Sequence, residues 1–194
     1  MKRKVIALTG GIGSGKSEVA RILQTWGWKT VDCDALARQV SDNPDVISRV
    51  ETLLGSDCVA DGQLNRKIIR EKVFKDENLL KQYEQIFFGK VRQLLTDIIN
   101  SMDDPVVFVE IPVLDAFEFD FAEIWRVESD EARRIERVVS RDNVAADNVK
   151  NTIARQKAYA NVTRVIDNNG SLEDLTDTVK RTLIESRLVA RYNL

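Results

Sequence analysis

Apolar positions along the chain fall into two rhythms, short unbroken runs and stretches that repeat every three to four residues. Val5 to Thr9 is a short, β-prone apolar run. Val19, Ile22, Leu23 and Trp26 follow at the i, i+3, i+4, i+7 spacing of an amphipathic helix. Gly27 marks a stop, and Trp28 to Asp32 reads as a second strand, with Ala35 to Val40 helical after it. Pro44 to Leu54 predicts a short helix, ended by Gly55 and followed by an Asp61–Gly62 turn. Leu64 to Val73 reads as a helix with Leu64, Ile68 and Val73 inward. Asn78 to Asn100 is a long helical pattern in which Gly89 is a candidate bend or split. Val106 to Ile111 is nearly all apolar, as expected of a parallel strand buried on both faces. Phe117 to Phe121 alternates aromatic and acidic residues and fits either a short strand or an anchored loop. Glu123 to Val127 reads as the fourth strand and Thr163 to Asp167 as the fifth. Between them a helix capped by Ser129 runs to Arg141, and after a break the pattern stays helical to Gln156. Asn168 to Gly170 is a turn. Ser171 and Asp174 form a capping-box signature, and Leu172, Leu175, Val179 and Leu183 give the last helix its core stripe. The tail from Arg187 is expected to fray. Strands alternating with helices predict an α/β domain. The helical stretch between strands two and three is too long for a simple crossover, which implies an inserted helical lobe.

Composition narrows the class. The 194 residues are 43% hydrophobic and 31% charged, ordinary for a soluble globular protein. The net charge of −2 argues against general nucleic-acid binding. No stretch reads as a membrane span, and the first apolar run is too short for a signal sequence. Cys33 and Cys58 make neither a disulfide framework nor a zinc pattern, which points to a reducing, cytoplasmic compartment. Histidine is absent, so a general base must come from a carboxylate or another group.

The chemistry begins where the first strand meets its helix. Gly10 to Ser17 reads G-x-x-x-x-G-K-S, a phosphate-binding P-loop in its expected strand–loop–helix setting. Glycines let consecutive N–H groups face inward around an anion, at the positive end of the new helix. Lys16 adds a cation for the β- and γ-phosphates, and Ser17 a hydroxyl for Mg²⁺. At the end of the second strand stand Asp32 and Asp34, on the edge of the sheet where α/β proteins hold ligands. One suits a metal-bound water and the other a substrate hydroxyl; either also suits a plain helix N-cap. Glu110 ends the third strand in the manner of a Walker B acid, or sits in a loop ion pair. Arg66, Lys67 and Arg70 make a basic helix surface whose plain reading is solvation. Arg134, Arg137 and Arg141 share one face of the helix after strand four, and guanidinium forks suit phosphate oxygens. Behind a P-loop, such a helix reads as a lid closing over triphosphate.

Taken together, these motifs resemble the dephospho-CoA kinase family. Thr9 to Ser17 is T-G-G-I-G-S-G-K-S, followed by D-C-D-A-L-A-R from Asp32 to Arg38. Leu64, Asn65, Arg66 and Arg70 with Val73 and Phe74, then Pro112 to Leu114, Arg141–Asp142 with Gln156, and Val165 to Gly170 continue the agreement in order. The resemblance implies a P-loop NTPase three-layer fold with a five-stranded parallel sheet, a helical substrate lobe and an arginine-bearing helical lid. It places the nucleotide-binding core at 1–40, 104–129 and 157–194, the substrate lobe at 41–103 and the lid at 130–156. It implies ATP and Mg²⁺ as cofactors and dephospho-CoA as the small-molecule substrate, phosphorylated on its ribose 3′-hydroxyl to give CoA and ADP in the last step of coenzyme A biosynthesis. By position, Asp34 matches the catalytic aspartate, with Lys16 and Arg141 acting on the phosphates. Gly11, Ile12, Gly13, Ser14, Gly15, Lys16 and Ser17 match the ATP site, with Asn168 in a loop expected near adenine. Asp32, Arg66 and Arg70 match substrate contacts, and Ser17 and Asp32 the metal.

The chain departs from the family pattern at Phe88–Gly89, where His-Pro is usual, and at Asp115–Ala116, where a glutamate is expected. Two alternatives follow. One is a P-loop kinase for another small hydroxyl acceptor such as a nucleotide. The other is a catalytically degenerate nucleotide-binding protein.

Overall fold

In a computed structural model, residues 3–73, 76–112, 119–156 and 161–188 are described. Of the aromatic stretch, Phe117 and Glu118 lie outside them, as do Phe74, Val113 to Ala116 and the tail beyond Leu188. The chain divides into two compact units, one from Met1–Val31, Asp104–Asp115 and Asp120–Leu194, the other from Asp32–Asp103 and Ala116–Phe119.

The first unit is an α/β sheet domain. Its strands are β1 (Lys4–Thr9), β2 (Lys29–Asp32), β5 (Val106–Glu110), β6 (Glu123–Glu128) and β7 (Arg164–Asp167), in the order β2-β5-β1-β6-β7. β1 runs parallel to both β5 and β6, and β6 parallel to β7. Central β1 is buried from Val5 to Thr9, which is why its sequence is apolar without alternation. Helix α1 (Lys16–Thr25) joins this core through Val19, Ile22 and Leu23, and α8 (Leu172–Glu185), packed on β7 and α1, through Leu175, Val179 and Leu183. Phe108 and Trp125 meet edge-on at 5.1 Å in this core, and Trp28 meets Phe108 at 5.6 Å. Such pairs contribute about 1 kcal/mol beyond their buried area. The unit also carries α6 (Glu131–Asp142) and α7 (Ala146–Arg155).

The second unit is helical. It holds α2 (Cys33–Ser41), α3 (Pro44–Leu54), a 3-10 turn at Ser56–Cys58, the small antiparallel hairpin β3 (Val59–Ala60) and β4 (Gln63–Leu64), α4 (Arg66–Val73) and α5 (Glu77–Ser101). α2, α3 and α4 all pack on α5. The expected core boundary at residue 40 and the grouping at Val31/Asp32 therefore differ by α2. Leu36 and Val40 of α2 are buried, and α2 packs on α5 within the helical unit. The expected lid at 130–156 likewise groups with the sheet unit. Cys33 and Cys58 are both buried and neither is in a disulfide among the described residues; each is a small filler of the interior. Among the described residues no helix is long and apolar enough to cross a membrane.

Several local expectations are corrected. Gly89 does not split α5, which runs unbroken for 25 residues from its Asp76 cap. Leu64 belongs to β4, so α4 starts at Arg66 and buries Ile69 and Val73 in place of Ile68. Ser129 does not cap α6; Asp130 occupies that position. Leu172 opens α8 and is 53% exposed, outside the core stripe.

The capping box at Ser171 and Asp174 forms as expected. Asp174 Oδ2 accepts from Ser171 N at 2.8 Å and from its hydroxyl at 2.7 Å. Those hydrogen bonds hold the Asp174 carboxyl below the usual carboxylate range. A depressed folded value means that the carboxylate stabilises the fold above its unfolded pKa, about 3.9. That contribution disappears as pH falls through the folded value. Asp174→Ala is therefore expected to unfold at lower temperature than the parent at pH 7. The gap should close through the acid range; a gap independent of pH would assign the loss to the helix start alone.

Candidate active site

The loop Gly10–Ser17 joins β1 to α1 at the carboxyl edge of the sheet. Gly13 (φ +74°) and Gly15 (φ +98°) adopt left-handed conformations that L side chains rarely enter. Space excludes a side chain as well. A Cβ on Gly13 would lie 2.5 Å from the Arg134 carbonyl, and one on Gly15 would strike the Asn168 amide. Lys16 Nζ donates to Gly10 O at 3.0 Å, so the ammonium folds back over the loop. The Ser14 hydroxyl is buried and has no hydrogen-bond partner among the described residues.

Glu110 ends β5, whose register sets it beside Leu8 of β1. Ser17 is the second residue of α1. Their proximity follows from that pairing, and Ser17 Oγ donates to Glu110 Oε1 at 2.6 Å. The strand-end acid thus meets the P-loop hydroxyl. Both offer hard oxygens, which suits Mg²⁺. Among the described residues no group of three His, Cys, Asp or Glu side chains gathers elsewhere to hold a metal. Mg²⁺ commonly takes one or two protein oxygens and completes its shell with phosphates and water, so this sparse set fits.

Helix α6 lies over the loop. Arg134 Nε donates to Ile12 O at 2.9 Å, and its Nη2 to Gln156 Oε1 at 2.7 Å. Gln156 Oε1 also accepts from Ile12 N at 3.1 Å. Arg137 Nη1 lies 3.3 Å from Gly13 O and 3.4 Å from Ser14 O. Burial pushes the Arg134 guanidinium down, against the pull of Glu131. Arg141 is placed differently. It sits at the end of α6, mostly exposed, its Nε 2.7 Å from Asp142 Oδ1. That pairing raises the Arg141 guanidinium and lowers the Asp142 carboxyl. The structure therefore brings Arg134 and Arg137 to the loop and leaves Arg141 with its neighbour. Asn168, at the end of β7, is buried and donates from Nδ2 to Ser14 O at 2.8 Å.

The remaining predicted site residues lie in the helical unit. Asp32 is the N-cap of α2, its Oδ1 accepting from Asp34 N at 2.8 Å and its Oδ2 lying 3.6 Å from Arg38. Asp34 is exposed in the first turn of α2. Arg66 Nη2 reaches Ser41 Oγ at 3.2 Å, and Arg70 is exposed on the same helix. Nearby, Tyr83 stacks on Phe87 at 5.9 Å, and Phe87 meets Phe88 edge-on at 5.7 Å. Burial pushes the Tyr83 phenol up, and the Arg66 charge partly offsets it. The sequence offers Glu110 as a Walker B-type acid or a loop ion pair and Arg134 and Arg137 as lid arginines beside Arg141, whereas Gln156 enters only through the family resemblance. The strand-end position of the first and the shared helix face of the two arginines were the available signals.

The family model described as dephospho-CoA kinase matches residues 4–174. A dephospho-CoA kinase of Thermus thermophilus is 34% identical over 196 residues, covering 93% of this chain and 91% of its own. One of Shouchella clausii is 36% identical over 182 residues, covering 87% and 91%. The crystal structure of TT1252 from Thermus thermophilus superposes with a TM-score of 0.83 at 32% identity, covering 95% of this chain and 98% of that one. A dephospho-CoA kinase from Campylobacter jejuni, at 20% identity and a TM-score of 0.63, shares the fold. A P-loop with its serine on a strand-end acid, a five-stranded parallel sheet and near full-length similarity converge on one assignment: this chain belongs to the dephospho-CoA kinase family.

Proposed function

We propose that the protein transfers the γ-phosphoryl group of ATP to the ribose 3′-hydroxyl of dephospho-CoA, giving CoA and ADP. The observation that carries this reading is the assembled phosphate loop, with Lys16 folded over it and Ser17 on Glu110, in a chain of this family. The loop amides and Lys16 hold the β- and γ-phosphates for in-line displacement. Ser17 and Glu110, with Asp32 as a further acid, would hold Mg²⁺, which would neutralise phosphate charge when bound. Asp34 accepts the proton of the attacking hydroxyl as the new O–P bond forms and the bond to ADP breaks. Arg141, exchanging Asp142 for phosphate, adds positive charge at the transferring group. Arg66 and Arg70 bind the substrate's own anionic groups. No covalent enzyme intermediate is needed.

The acceptor is tested with a panel of hydroxyl compounds under one ATP concentration, reading ADP formation. Dephospho-CoA is expected to turn over far faster than nucleosides, nucleotides or small polyols. Preference for a nucleotide acceptor would replace the substrate assignment and keep the kinase.

A further inference from the structure

Three consecutive carbonyls of the loop share one unusual feature: each accepts from a side chain on the same flank. Ile12 O takes Arg134 Nε at 2.9 Å. Gly13 O takes Arg137 Nη1 at 3.3 Å, and Ser14 O takes the same nitrogen at 3.4 Å and Asn168 Nδ2 at 2.8 Å. A trans peptide unit is planar, so a carbonyl and the following N–H point in opposite directions. Fixing the carbonyls of residues 12, 13 and 14 outward therefore turns the N–H groups of Gly13, Ser14 and Gly15 to the other flank. The middle one is taken up within the loop, where Ser14 N donates to Gly11 O at 3.1 Å and closes a turn. That leaves the N–H groups of Gly13 and Gly15 to line an anion-binding concavity.

We propose that Arg137 and Asn168 are positioning residues that set the peptide planes of the phosphate loop, acting on ATP through its phosphates and not through adenine. The inference rests on the phosphate-binding reading of the loop and is independent of which acceptor is phosphorylated. Two further contacts support it. Arg137 is itself fixed, its Nη2 donating to Asn168 O at 3.0 Å and its Nη1 lying 3.2 Å from Ser129 Oγ. The Ser129 hydroxyl sits 3.0 Å from Asn168 O, so the ends of β6 and β7 brace the same point. A guanidinium whose nitrogens are occupied by carbonyls and a hydroxyl is held as a strut. A lysine in its place keeps the charge and loses the fork.

The test is calorimetric titration of the full chain with ATP and, separately, with inorganic tripolyphosphate, which has no adenine. Asn168→Ala is expected to weaken both ligands by the same factor, about tenfold, the scale of one lost hydrogen bond to a fixed group. Arg137→Lys is expected to weaken both similarly although its charge is kept, and it decides the matter should the asparagine variant not fold. In the unliganded protein the amide resonances of Gly13 and Gly15 should move in either variant, and the KM for ATP should rise while that for the acceptor holds. Loss of ATP binding with tripolyphosphate binding intact would make Asn168 an adenine contact and overturn the proposal. Wild-type affinity for both ligands in Arg137→Lys would overturn it as well, leaving the arginine a point charge.

Discussion

Asp34→Asn is expected to bind ATP almost as the parent does and to lose at least about a hundredfold in turnover, the scale of general base catalysis. The substitution keeps the shape of the side chain and removes its basicity. Asp34 is suited to the task by its placement: it is exposed, in the first turn of α2, with its own N–H capped by Asp32 at 2.8 Å. The cap fixes the backbone from which the carboxylate projects. The chain contains no histidine to substitute for it. ATP affinity measured by titration and turnover by ADP release separate the two effects. Near-parental turnover would remove Asp34 from the role of base.

Lys16→Ala is expected to fall further, by about a thousandfold in kcat/KM, because it deletes a cation aimed where phosphate charge develops. Lys16 Nζ lies 3.0 Å from Gly10 O, poised over a loop whose glycines leave no room for a replacement charge from the loop itself. Its loss should weaken tripolyphosphate and ATP together, since the contact is to phosphate. An effect smaller than about tenfold would mean that the lid arginines carry the phosphate charge instead.

β1 and β5 were legible as short apolar runs because burial on both faces removes alternation, whereas β2 (KTVD), β6 (EIWRVE) and β7 (RVID) carry charged residues and gave a weaker signal. The helices of the lobe were legible from their period, but their phase was not always so. α4 begins only after β4 ends, and that short hairpin, two residues a strand, has no periodic signal. The long α5 tolerates Gly89 because its packing outweighs the roughly 1 kcal/mol that glycine costs a helix. Leu172 is apolar and in phase, yet it stands at the first turn of α8, where the helix leaves the core.

At the site, the P-loop was fully legible, since its glycines, lysine and serine each answer a local requirement. Contacts made by topology were not. Glu110 finds Ser17, 93 positions earlier, only because β5 pairs with β1. Asn168 reads as a turn residue until the order β1-β6-β7 carries it to Ser14, 154 positions away. The arginine face of α6 was visible, but its reach was not. A helix rises 1.5 Å per residue, so Arg141 stands about 10 Å beyond Arg134 along the axis. Only the first two turns, with Arg134 and Arg137, lie over the loop. The end of the helix leaves Arg141 to pair with Asp142.

The central claim is the transfer of phosphate to dephospho-CoA. It is tested most directly by incubating the protein with ATP and Mg²⁺, with and without dephospho-CoA, and following ADP release together with the mass of the acceptor. ADP release that depends on dephospho-CoA, matched mole for mole by a product one phosphoryl group heavier and identical to CoA, is the predicted result. ATP binding with no mass change in dephospho-CoA would contradict the account.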